Sequence, residues 1–188
     1  AKDVKIQLEF NPAAVSAYRL IGYENRQLAA EDFRNDRKDA GEIGAGHTVT
    51  ALYELIPAGA DYVSHAIPEL KYQQASSLTP QAQSGELLTV RLRYKQPDDS
   101  GVDEFAVAVE DADHSFSRSS RDFQFAAAVA SFGMLLRNSP HRGNATWDAV
   151  REWAQPAVGR DASGYREEFL ELIVRAQQTA ERHLSRVR

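Results

Sequence analysis

The chain opens on strict alternation. Val4, Ile6, Leu8 and Phe10 are apolar, and Lys5, Gln7 and Glu9 stand between them. A period of two predicts a strand with one half-buried face, and Asn11-Pro12 stops it. A second strand is expected over Tyr18 to Tyr23. A third is expected over Thr48 to Ile56, with Val49, Ala51, Tyr53 and Leu55 on one face and Pro57 as its stop. Leu88, Val90, Leu92 and Tyr94 set the inward face of a fourth strand, and Phe105, Val107 and Val109 a fifth. The turn-rich Gln96 to Gly101 segment between them predicts a hairpin with a long loop. Arg91, Arg93 and Lys95 fall on the opposite parity of the fourth strand and read as its solvated face. Residues 64–86, with Pro68 and Pro80, read as loop, and the charged 26–42 stretch as irregular with room for a short helical turn.

From about Ser120 the period changes to three and four. Phe125, Val129, Phe132 and Leu136 predict an alanine-rich helix that stops near Asn138-Ser139-Pro140. Thr146 reads as the N-cap of a short helix bearing Val150 and Trp153 and ended by Pro156. Tyr165, Phe169, Leu172, Ala176, Ala180 and Leu184 define a long final helix with a basic end. Strands first and helices afterwards predict an α+β fold: an antiparallel, β-sandwich-like region over 1–115, then about three helices over 120–188. Five strands are few for a sandwich, which leaves room for one supplied by a longer polypeptide.

Composition narrows the classes. The chain has 188 residues, enough for one large domain, and 43% of them are hydrophobic, enough for a core. The net charge of −5 argues against a nucleic-acid partner, which needs a basic face to displace counterions. With no cysteine, disulfides, thiolate zinc sites and a cysteine nucleophile are excluded. No apolar run reaches the roughly 20 residues of a membrane-spanning helix, so direct membrane insertion is not expected. The start, Ala1-Lys2-Asp3, enters a strand at once and does not resemble a signal peptide. It reads as a processed or excised piece of something longer.

Five patterns invite a site. Gly41, Gly44 and Gly46, followed by His47, suggest a phosphate loop, but such a loop needs a strand before it and a helix N-terminus after it. Here a charged stretch precedes and β-branched residues follow, so the glycines read as a turn with positive φ entering a strand. Asp113, Ser115 and Ser117 match D-x-S-x-S, in which an aspartate and two serines offer Mg²⁺ hard oxygens. The further ligands would have to come from a parallel sheet downstream, where the pattern is helical. A serine N-cap at Ser119 or Ser120 also accounts for the serine run. Asp32, Asp36, Asp39 and Glu42, and then Asp98, Asp99 and Asp103, do not fit calcium-loop spacing and read as solvated turn carboxylates. His47, His65, His114, His141 and His183 show no i, i+4 zinc pair, and no G-x-S-x-G elbow accompanies them. Trp147 and Trp153 read as core.

Five longer stretches carry a resemblance: VKIQLEFNPAAVSAYRLIGYENR, EDFRNDRKDAGEIGAGHTVTALYEL, LLTVRLRYK, DFQFAAAVASFGMLLR and GYREEFLELI. Together they resemble the C-terminal domain, without assigned function, of bacterial von Willebrand factor type A (vWA) domain proteins, from about Asp3 to Ala176. The resemblance implies a vWA domain upstream in the same polypeptide that carries the true metal site. It also implies an extracytoplasmic location, and it carries no catalytic or ligand residue to this chain. It points to a non-enzymatic accessory domain, without a cofactor, that packs beside the vWA domain and contacts it or other proteins. Gly41, Gly44, Gly46 and His47, with Tyr165 and Phe169 of the last helix, are the contact candidates. A carbohydrate- or Ca²⁺-binding sandwich is the alternative, and a hydrolase has no positive signature.

Overall fold

The computed structural model describes residues 1–22, 27–61, 77–98, 100–113 and 115–187, with side chains to residue 182. The chain divides into two compact units, Ala1–Ala112 and Asp113–Arg188. Antiparallel strands followed by three helices make it α+β.

The first unit holds β1 (Lys2–Phe10), β2 (Val15–Ile21), β3 (Leu52–Pro57), β4 (Glu86–Lys95) and β5 (Val102–Glu110). They form two sheets, β1-β4-β5 and β2-β3, antiparallel throughout. The expected hairpin is β4–β5, closed by Gln96 N–H donating to Gly101 O at 3.0 Å. The strand expected from Thr48 begins instead at Leu52, because pairing with β2 starts there, at Ile21↔Leu52. The second strand is displaced the other way, toward the N-terminus, and its expected end at Tyr23 lies outside the described residues, as do residues 64–76 of the expected loop.

The two sheets do not close a sandwich. The β2–β3 ribbon meets the larger sheet around Phe10, whose ring stacks on Tyr18 at 3.8 Å and lies 5.8 Å from Tyr53. Asn11 fixes the corner: its Nδ2 donates to Glu86 O at 2.7 Å and to Ala82 O at 3.0 Å. A two-stranded ribbon is too narrow to cover three long strands, so Leu88 near the corner is buried while β5 is exposed at all nine residues.

The second unit holds α1 (Arg121–Leu136), α2 (Trp147–Ala157) and α3 (Tyr165–Val187). Ser120 Oγ caps α1 by accepting from Phe123 N–H at 3.1 Å, and Thr146 Oγ1 caps α2 from Ala149 N–H at 3.1 Å. Helix α1 ends on Asn138 in the left-handed region (φ 48), with Asn138 N–H donating to Leu135 O and Ser139 N–H to Met134 O. This is the paired closure that a left-handed residue makes possible. Helix α2 runs one residue past Pro156, which sits in its last turn. The core comprises Ala128, Phe132, Val150, Ala154 and Ile173. Trp147 meets Phe132 edge-on at 5.7 Å, and Trp153 lies 5.1 Å from Phe116, so both indoles pack as expected.

Candidate functional site

The larger sheet is built from cross-strand rows. One face carries Ile6–Leu92–Phe105, Leu8–Val90–Val107 and Phe10–Leu88–Val109; the other carries Lys5–Arg93–Glu104 and Gln7–Arg91–Ala106. Alternation alone predicts that the apolar face is inward and the basic one solvated. The structure inverts much of that. Lys5 is 2% exposed and Arg93 7%, whereas Ile6, Phe105 and Val107 are each about half exposed.

Two adjacent cations can be buried only if acids and carbonyls are brought to them, and the 29–43 segment does this. Lys5 Nζ donates to Asn35 O at 2.7 Å and contacts Asp3 Oδ2 at 3.3 Å. Asp3 Oδ2 also takes Lys95 Nζ at 3.0 Å. Arg93 Nη2 donates to Asp36 Oδ1 at 2.7 Å, and its Nε lies 3.8 Å from Glu104 Oε2. Arg34 reaches the same carboxylate at 2.6 Å. The Arg93 hydrogen bond holds Asp36 below the usual carboxylate range, and Arg34 does the same for Glu104. Asp3 has φ 51 where the β1–β4 register slips between Lys2 and Lys5, a bulge that turns its carboxylate toward both lysines. Asp3 Oδ1 and Arg93 Nη1 are buried without a hydrogen-bond partner among the described residues. The arrangement is a polar core under a loop, and its arginines favour the ionised forms of Asp36 and Glu104.

The glycine cluster belongs to the same covering segment. Val4 N–H donates to Gly41 O at 2.8 Å, and Ala1 and Ile43 exchange bonds at 2.9 and 3.0 Å, so residues 41–43 lie along the outer edge of β1. Of the three glycines only Gly46 has positive φ (77), so the expectation of positive φ at Gly41 and Gly44 is corrected: Gly41 serves the bridge. Gly44 faces His47, whose Nδ1 would stand 3.2 Å from an added Cβ. Both Gly44 and His47 are exposed, and so is Gly46.

The remaining candidates are dispersed. Asp113 has φ 51 and is exposed, and the Ser115 and Ser117 hydroxyls are 3.1 Å apart, bonded to each other. Asp98 accepts from Ser100 N–H at 3.0 Å, and Asp103 accepts from Gln96 Nε2 within the hairpin loop. Asp99, His65 and His114 lie outside the described residues, and so does the His183 side chain. Among the described residues no group of three or more His, Asp or Glu is placed to hold a metal ion. On α3, Phe169 is half-buried and packs against Phe125 (5.3 Å) and Phe132 (5.2 Å). Tyr165 is 73% exposed and borders, together with Phe169, Glu168, Leu172 and Arg175, a shallow depression. No helix among the described residues is long and apolar enough to cross a membrane.

These features define an α+β module whose β unit has, among the described residues, one sheet face partly covered around buried Lys5 and Arg93 and an apolar face with Ile6, Phe105 and Val107 exposed. The chain belongs to the family described as "Uncharacterized protein YfbK, C-terminal", whose model matches residues 1–179. It is 43% identical over 175 residues to "Uncharacterized protein YfbK" of Escherichia coli (strain K12), an overlap that covers 92% of this chain and 29% of that relative. The chain thus spans less than a third of the relative's length. No solved structure matches it.

Proposed function

We propose that this is a non-enzymatic accessory domain that packs beside, and supports, a vWA adhesion domain of the same polypeptide on the extracytoplasmic side of a bacterial membrane. The observation that carries the reading is the open apolar face of the β1-β4-β5 sheet, where Ile6 is 48% exposed, Phe105 50% and Val107 51%. Contiguous apolar surface of this kind marks an interaction face. The relative's greater length leaves ample chain for a further domain, and the resemblance names a vWA domain as the neighbour. Asp36 and Glu104 are held low by arginines, as in a structural ion-pair cluster.

Titration calorimetry of this chain against the purified vWA portion tests the reading. Saturable binding that Phe105→Ser and Val107→Ser each weaken supports it. Absence of binding, or binding indifferent to both changes, sinks it. Fractionation of cells carrying the whole protein tests the location, and recovery with the cytosol removes that part.

A further inference from the structure

The two edges of the large sheet are treated differently. The β1 edge is covered by residues 41–43. Strand β5 ends the sheet order, and no strand among the described residues pairs with its outer side. Its central run, Phe105-Ala-Val-Ala-Val109, has no charge, no proline and no bulge; the register against β4 runs without a slip from Leu88↔Val109 to Lys95↔Val102. Exposed edges of this kind are templates for another strand.

We infer that β5 pairs antiparallel with β5 of a second copy about a twofold axis through Ala106, joining two three-stranded sheets into one continuous sheet. The strand is self-complementary in that register. Phe105 stands opposite Val107 on the apolar face, and Val107 opposite Phe105. On the other face Glu104 stands opposite Ala108, and at the ends Asp103 meets Val109 and Val102 meets Glu110. All nine residues of the strand are paired and no like charges oppose each other. The neighbouring symmetric registers are worse. Centring on Val107 sets Glu104 against Glu110, and centring on Phe105 leaves Val109 and Glu110 unpaired. Aromatic against β-branched pairs are favoured cross-strand partners, and an isologous contact closes at two copies, so it removes the edge. The contact runs along the rim of the sheet and shares Phe105 and Val107 with the edge of the apolar face, so it is read at position 108 on the opposite face.

Sedimentation of the chain over roughly 10 µM to 1 mM, where one strand pairing associates, is expected to show a monomer–dimer equilibrium. Two single changes at one exposed position read the register. Ala108→Glu sets two glutamate pairs face to face and is expected to weaken the dimer about tenfold. Ala108→Lys places lysine opposite Glu104 and is expected to leave the dimer at least as tight. Because the chain has no cysteine, Ala106→Cys tests the axis directly: facing Cα atoms roughly 4.5–5.5 Å apart are within disulfide reach. Mild oxidation should crosslink Ala106→Cys and leave Ala108→Cys largely uncrosslinked. A monomer at every concentration overturns the inference. So does a dimer that treats Glu and Lys at position 108 alike, or one in which the two cysteine variants crosslink equally.

Discussion

Arg166 joins the three helices of the second unit. Its Nη1 donates to Ala157 O at 2.9 Å at the end of α2, its Nη2 pairs with Asp122 in the first turn of α1, and its guanidinium lies 4.8 Å from the centre of the Phe125 ring. The carbonyl bond matters most, because Asp122 is 82% exposed and its ion pair is screened. Arg166→Ala is expected to cost about 2 kcal/mol, and Arg166→Lys more than half of that, since an ammonium cannot hold the carbonyl and stack at once. Both tryptophans lie in this unit, so urea unfolding followed by their fluorescence checks it. Lys5 is the corresponding residue of the β unit. Lys5→Met strips the more deeply buried of its two cations from Asp3, an expected loss of about 3 kcal/mol, and hydrogen exchange of the β1 and β4 amides measures it. Neither role is visible in local sequence. Lys5 and Arg93 occupy the polar parity of their strands, and only the distant Asn35 and Asp36 decide that this parity is covered.

At the scale of elements, periodicity located five strands and three helices, because each element's period is a local property. The serine and threonine caps were equally legible. What alternation cannot supply is the covering element: it separates two faces of a strand without saying which one another segment will seal. The same limit explains Phe169 and Tyr165, four apart and both on the apolar side of α3, of which only Phe169 meets the α1 core. It also explains the missing sandwich, since strand count does not reveal that β2–β3 reaches only the Phe10 corner. The covered polar face has a pH signature. Asp36 and Glu104 have pKa values lowered by folding, so their contribution is fully present above the unfolded carboxylate value of about 4 and is lost as pH falls through the lower folded value. Amide protection in β1 and β4 is therefore expected to be flat above about pH 5 and to fall below about pH 4. Asp36→Asn should lower the plateau and flatten that fall. An unchanged acid limb in the variant would show that the Arg93–Asp36 pair contributes nothing.

For the whole molecule, the −5 charge and the open sheet face act in opposite directions. Charge keeps copies dispersed, while the exposed side chains of Ile6, Phe105, Val107 and Val109 present surface that water covers at a cost of about 25 cal/mol per Å². A native chain with such a face should bind a hydrophobic dye such as ANS at neutral pH, without the loss of near-ultraviolet dichroism that marks a molten state. The dye signal should fall in Val107→Thr, which keeps the β-branched shape and replaces a methyl with a hydroxyl. Dimerisation through the β5 rim covers only the Phe105 and Val107 margin of the face, so Ala108→Glu should change the dye signal little. A vWA partner seated on the face should displace the dye in proportion to its occupancy. Dye binding that persists in Val107→Thr would place the apolar surface elsewhere, and then the sheet face would no longer support an accessory role. If the partner displaces the dye while Ala108→Glu barely changes its signal, the face and the rim are surfaces of one sheet that share only the Phe105 and Val107 margin, the first serving attachment to a neighbour and the second self-association.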